Sequence, residues 1–350
     1  MFLFKNKNLV GIDVGSSSVK LVQLKECKGG YELVKIGMAP LPAEAIVDKA
    51  HMDSAAIVAA IRSLIKTLDV KVQQAASSVS GNSVIIRKIS YPVMTADELD
   101  EQINWEAEQY IPFDINDVNI GFHILGSGEA EPENMDVILV AAKKDIINDY
   151  LTLFKEAGMT LVVLDVDAFA LQNVFEANYN PTPEEVIALA NIGDAVTNLN
   201  IVRNGVTLFT RDIQLGGSQY THEIQKKLTM KLDEAEKLKV SDAGANDETV
   251  LAVILQVNET LSMELFRSIN FYVANNSEDR ITKLYVSGGC SKTPFLLDTI
   301  QKRLGVPVEN INPFQKIIYS DKQFAPGYLK NLAPHITVAV GLAMRRHGDK

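Results

Sequence analysis

Leu9 to Gly15 is a short apolar run that ends in a turn, and Ser18 to Lys25 continues extended, which predicts a β-hairpin. Asp53 stands where it can cap a helix with Ile57, Ile61, Leu64, Ile65 and Leu68 on one face. Ser83 to Tyr91 alternates and is rich in β-branched residues, a strand that Pro92 interrupts. Thr95 and Glu98 then have the spacing of a capping box. The helix they open should stop near Tyr110, because Pro112 disfavours helix in the residue before it. Val118 to Leu125 and Asp136 to Ala142 read as two strands joined by an acidic loop, Gly126 to Asn134. A helix near Lys144 to Ala157 and a strand near Leu161 to Asp165 follow. From Ser83 onward the order is therefore β-α-β-β-α-β, a compact inserted module. Asn178 to Glu184, with two prolines, reads as a linker between lobes.

The second half opens by repeating the first. Ile12-Asp13-Val14-Gly15 aligns with Ala190-Asn191-Ile192-Gly193, and Leu21 falls on Leu199. Two strand–turn–strand units roughly 180 residues apart predict a duplicated fold with a pseudo-twofold axis and a ligand held by both turns. Beyond them lie a helix near Thr221 to Leu238, a long one near Glu248 to Ala274, a strand from Ile281 to Ser287 that enters Gly288-Gly289, and a helix near Pro294 to Leu304. The chain closes on a small-residue helix, Ile336 to Arg346.

Composition narrows the partners. At 350 residues the chain exceeds one core of ordinary size. With 47% apolar and 22% charged residues it has a globular balance. A net charge of -10 without a Lys/Arg cluster argues against nucleic acid. Two cysteines, Cys27 and Cys290, point to a reducing compartment rather than a disulfide framework. No apolar run is expected to span a bilayer, and the N-terminus has no signal-peptide pattern. A cytoplasmic location is the expectation, with membrane association only through a partner.

The candidate chemistry sits at the turns. Gly15 followed by Ser16, Ser17 and Ser18 offers backbone N–H groups and hydroxyls to a phosphate, and Lys20 adds a cation. Asp13 makes sense beside a phosphate only through Mg²⁺, usually via water. Gly193 can bring backbone donors to the same phosphate, with Thr197 or Asn198 nearby. Glu236 and Lys239 share a helix face, where a carboxylate can accept from ribose hydroxyls and a lysine stem can pack on a purine. Gly288 and Gly289 allow backbone to approach a base closely, and Ser291 or Thr293 can cap the following helix. Histidines show no metal spacing, no Gly-x-Ser-x-Gly elbow is present, and Cys290 is read as structural.

The order of these motifs resembles the actin, hexokinase and heat-shock-chaperone ATPase superfamily. It is most similar to the PilM family of actin-like type IV pilus assembly proteins, itself similar to the division protein FtsA. Trp105-Glu106-Ala107-Glu108-Gln109-Tyr110-Ile111-Pro112-Phe113, preceded by Asp97-Glu98-Leu99, carries the resemblance most specifically; Leu164 to Leu171, Ala235 to Lys239 and Val286 to Gly289 add to it. The resemblance implies an α/β, two-lobed actin-like ATPase fold of duplicated RNase H-like domains. Subdomain IA would comprise residues 1–82 and 158–182, IC the insert 83–157, IIA residues 183–215 and 281–333, IIB residues 216–280, and 334–350 a helix returning to IA. It implies ATP and Mg²⁺ in the cleft, held by Asp13, Gly15, Ser16, Ser17, Ser18, Lys20, Gly193, Thr197, Gly216, Gly217, Glu236, Lys239, Gly288, Gly289 and Ser291, with Asp13 reaching magnesium through water. It also implies a partner, PilN, whose short cytoplasmic N-terminal segment docks between IA and IC, with Tyr110 and Phe113 as candidate contacts. Other assembly-platform proteins and motor ATPases are further implied partners.

One departure stands out: Asn191 occupies a place where related ATPases have Asp, and a neutral amide cannot act as a general base. The expectation is slow or negligible turnover, with ATP as a brace. Two alternatives remain open at this point. One is a phosphotransferase that uses Asp165 or Asp167 as base. The other is an FtsA-like filament-forming division protein, although the C-terminal amphipathic membrane helix expected there is not seen in this sequence.

Overall fold

The computed structural model describes residues 9–47, 50–127, 133–276, 278–325 and 327–349. The acidic loop expected before Asn134 falls largely on 128–132, outside the described residues. The chain begins with β1 (Val10–Val14), β2 (Ser18–Cys27), β3 (Gly30–Pro40), the short pair β4 (Ile46–Val47) and β5 (Ala50–His51), α1 (Ser54–Thr67) and β6 (Gln74–Val79). Asp53 caps α1 as expected, its Oδ1 accepting from the Ala56 N–H at 2.9 Å. The insert supplies β7 (Val84–Pro92), α2 (Ala96–Ala107), β8 (Val118–Ser127) and β9 (Asn134–Lys143), followed by α3 (Lys144–Glu156), β10 (Thr160–Val166) and α4 (Asp167–Asn178). Thr95 and Glu98 close the capping box of α2.

The second lobe comprises β11 (Val186–Ile192), β12 (Thr197–Arg203), β13 (Val206–Ile213), α5 (Gly217–Leu228), α6 (Leu232–Lys239), α7 (Asp242–Ala245), α8 (Glu248–Asn275), β14 (Ile281–Ser287), α9 (Leu296–Leu304) and β15 (Val308–Asn310); α10 (Tyr328–Ala343) ends it. The single helix expected over Thr221–Leu238 is two, because Thr229 adopts a left-handed φ of 52° and ends α5. The C-terminal helix starts at Tyr328, earlier than the small-residue run suggested, and holds Pro334 inside it.

The duplication is explicit in the sheets. The first lobe has strand order β3-β2-β1-β6-β10 and the second β13-β12-β11-β14-β15. In both, three strands pair antiparallel and the last two join in parallel. The register repeats as well: Asp13 faces Lys20 across the first hairpin as Asn191 faces Asn198 across the second. Each sheet buries one face under its own helices, α1 and α3 in the first lobe and α5, α8 and α9 in the second. The other faces share a core built on α4 and α10, which lie between the sheets. That shared layer, with Val22 and Leu33 from one lobe and Leu189 and Tyr285 from the other, joins the lobes.

The insert is narrower than the six elements expected. β7, β9 and β8 form a separate three-stranded sheet covered by α2. The last two elements belong elsewhere: α3 buries Tyr150, Leu153 and Phe154 in the first-lobe core, and β10 pairs with β6. α8 is long and apolar enough to cross a bilayer, contrary to the sequence expectation. Its apolar side, including Val257, Leu261 and Leu265, is buried in the core of the second lobe, which accounts for that composition without a membrane.

Candidate functional site

The two hairpin turns are superimposable in their bonding. The Gly15 N–H donates to the Ser18 carbonyl at 3.1 Å, and the Gly193 N–H to the Val196 carbonyl at 3.0 Å. Each turn thus spends its glycine N–H on itself. Ser18 is buried. Lys20 lies 3.1 Å from Asp13, both side chains being only 12% and 15% exposed. In the second hairpin this ion pair is replaced by two amides: Asn191 Nδ2 donates to Asn198 Oδ1 at 3.2 Å. Thr197 does not face a ligand, because its buried hydroxyl donates to the Leu215 carbonyl at 2.7 Å.

Gly216 and Gly217 lie against the second turn. The Gly217 N–H donates to the Gly193 carbonyl at 2.9 Å and the Ser218 N–H to the Asp194 carbonyl at 2.8 Å. This pins the N-terminus of α5 beside the turn. At the other side of α5, Lys239 Nζ lies 2.6 Å from Glu236 Oε2 and donates to Thr221 Oγ1 at 2.9 Å and to the Gly217 carbonyl at 3.2 Å. Glu236 also accepts from the Thr221 hydroxyl. The expected shared face therefore exists and borders the start of α5.

Asp194 was not singled out from sequence, yet it ties these pieces together. Burial pushes its carboxyl up, Lys239 and Lys20 pull it down, Glu236 pushes it up, and Ser16 donates to it. Groups from both lobes thus meet at one carboxylate. Its sequence signal is its place directly after Gly193 in the second turn.

The glycine turn after β14 completes the wall. Gly288 has φ 90°, and a Cβ there would stand 2.5 Å from the Ile192 carbonyl carbon, so only glycine lets the turn lie on the end of β11. Its N–H donates to the Pro334 carbonyl of α10 at 2.7 Å. Ser291 is buried and its hydroxyl has no partner among the described residues. Cys290 is buried with its thiol pushed up to about 11, mainly by burial, which is the inert state expected. Ser16 and Lys20 of the first lobe thus meet Glu236 and Lys239 of the second around Asp194, and the Gly288-Gly289 turn lies on the end of β11. Among the described residues no three His, Cys, Asp or Glu side chains cluster to hold a metal. A cation there would need phosphate and water for its remaining ligands, which is the habit of Mg²⁺.

A concavity of about 710 Å³ runs between the insert and the first lobe and reaches Gly205 and Thr207 of the β12–β13 hairpin. β9 alternates: Val137, Leu139 and Ala141 face the α2 core, while Ile138, Val140 and Ala142 line the groove. Two strands bordering it, β8 and β10, are the unpaired edges of their sheets. Asp165 and Arg345 lie at its base with Nε 3.3 Å from Oδ2, and neither of those buried atoms has a hydrogen-bond partner. Burial pushes the Asp165 carboxyl up against the pull of Arg345. Asp167 accepts from Ser78 Oγ at 2.6 Å. Tyr110 and Phe113 do not line the groove: Phe113 packs on the insert core under Lys143 Nζ, 4.5 Å from its ring centre.

Comparison with known proteins places this architecture. A family model described as type IV pilus assembly protein PilM matches residues 11–347. The solved PilM-PilN type IV pilus biogenesis complex contains a chain 28% identical, covering 97% of this chain and 98% of that one, with a TM-score of 0.87. Cell division protein FtsA of Bacillus subtilis is 22% identical over 305 residues, 78% of this chain and 68% of that protein. The ethanolamine utilization protein EutJ from Carboxydothermus hydrogenoformans shares the fold, at 15% identity and a TM-score of 0.60 over 96% of this chain and 89% of its own. The fold is the two-lobed actin-like one.

Proposed function

This chain belongs to the PilM family of type IV pilus assembly proteins, and on that premise we propose that it is a nucleotide-braced adaptor of the pilus assembly platform. In this reading ATP sits between the lobes. The short N-terminal cytoplasmic segment of a PilN-type inner-membrane partner lies in the groove between insert and first lobe, which would hold the chain at the cytoplasmic side of that membrane.

The observation that carries the docking half is the pair of edge strands, β8 and β10, that border the groove. An extended peptide gains main-chain hydrogen bonds from such an edge and side-chain pockets from the walls. A synthetic peptide of the partner's tail titrated into the purified full chain is expected to saturate at one per chain; absence of binding, with and without Mg-ATP, would end the docking reading.

The nucleotide half rests on the convergence of both hairpin turns, the Glu236–Lys239 pair and the Gly288-Gly289 turn. Bound ATP would add phosphate oxygens for the Ser16 and Ser17 donors, and Mg²⁺ would screen those oxygens from Asp13. Lys20, now on Asp13, would be drawn partly toward phosphate. Asn191 cannot take a proton from water, and its amide is already used on both sides: Ser287 Oγ donates to its Oδ1 at 3.2 Å. Asp194 is the remaining acid in the second turn, and it is held by Ser16 and the lysines. Slow turnover follows. Asp13→Ala is expected to weaken Mg-ATP binding about tenfold while leaving metal-free ATP little changed. Equal loss for both ligands by calorimetry would deny Asp13 its role toward the metal.

A further inference from the structure

His335 is the group in the cleft to which neither the motifs nor the proposed roles assign a task. It follows Pro334 on α10, whose carbonyl accepts from Gly288. Its ring lies directly on Gly289: a Cβ on that glycine would stand 2.6 Å from Nδ1 and 2.7 Å from Cε1. A side chain on Gly289 would have to displace the imidazole. The charged groups that act on the ring are Lys292, from the same turn, and Lys20, from β2 of the opposite lobe. Lys20 is itself paired with Asp13 on the first phosphate turn. The ring nitrogens make no hydrogen bond among the described residues. A half-buried imidazole that two lysines act on, and that makes no hydrogen bond of its own among the described residues, thus lies on the Gly288-Gly289 turn.

We infer that His335 is a phosphate-responsive residue of the cleft, neutral when the cleft is empty and protonated from solvent when nucleotide phosphates arrive, so that its second N–H then donates to them. This rests on the nucleotide reading above. Burial and the two lysines hold its pKa down at about 4 in the free protein, which keeps it neutral there. Incoming phosphate oxygens offset both lysines and reverse the largest electrostatic opposition to the charged form. Because binding raises the pKa, the sign is fixed: affinity grows as pH falls through the bound-state value, and binding takes up a proton.

The test compares the full chain with H335Q, which keeps a hydrogen-bonding side chain but cannot take the proton. Mg-ATP affinity of the wild-type chain is expected to rise about tenfold from about pH 8 to about pH 6 beyond the rise seen in H335Q, in which only the ligand's own titration remains. Calorimetry in two buffers of different ionisation enthalpy should show proton uptake in the first protein and less in the second. An NMR imidazole signal absent from H335Q should titrate higher when nucleotide is bound. Mg-ATP binding with identical pH slopes in both proteins would overturn the inference and leave the nucleotide reading standing. No Mg-ATP binding by the wild type at either pH would overturn both.

Discussion

Gly341→Ala is expected to destabilise the chain by about 3 kcal/mol, read as a fall in the urea midpoint, because it forces two helices apart. A Cβ at Gly341 on α10 would sit inside the van der Waals shell of the Ala170 carbonyl on α4, 2.6 Å from its carbon. The obstacle is backbone, so no rotamer change relieves it. Nor can α10 retreat, since it also lies on β1 so closely that a Cβ at Gly11 would stand 3.0 Å from Ala343 Cα. These helices carry the core shared by both lobes, and the loss should loosen the cleft as well as the fold. Gly121→Ala is the comparison: nothing lies within 4 Å of a Cβ there, and the change should stay within about 0.5 kcal/mol. Equal midpoints for the two variants would mean that the close helix crossing does not limit stability.

Val140→Arg is expected to cost the partner-tail peptide about 100-fold in affinity, or roughly 2.7 kcal/mol. Val140 projects from β9 into the groove rather than into the α2 core. An arginine there fills peptide space and brings an unpaired charge to an apolar wall, while the open side lets its head reach water, so the fold should survive. Mg-ATP affinity should be unchanged, which separates a blocked groove from a damaged protein. Phe113→Ala, on the far side of the insert sheet, should leave peptide affinity intact. Peptide binding that tolerates Val140→Arg but fails with Phe113→Ala would move the docking site to that other side.

Much of this architecture is legible in local pattern. The echo of Asp13 and Gly15 in Asn191 and Gly193 forecasts two hairpins of one register, because a tight turn with a fixed internal bond leaves a short, position-specific trace. Caps at Asp53 and Thr95 are equally local and appear as expected. What the sequence hides is tertiary. α3 and β10 read as part of the insert because they follow it directly, yet their partners, α1 and β6, precede the insert. The start of α10 is masked by Pro334, which is tolerated inside the helix. Thr197 looks like a ligand donor until Leu215 is folded against it. Asp194 and His335 carry no motif, since their setting comes from lysines distant along the chain.

Amide hydrogen exchange of the full chain, measured with and without saturating partner-tail peptide, tests docking in the groove most directly. Slowed exchange along β8 (Val118–Ser127) and β10 (Thr160–Val166), with α2 unchanged, is the predicted result, because a peptide strand on either edge buries N–H groups that now face the groove. Protection confined to the segment from Trp105 to Phe113, or saturating peptide with neither edge strand protected, would contradict it.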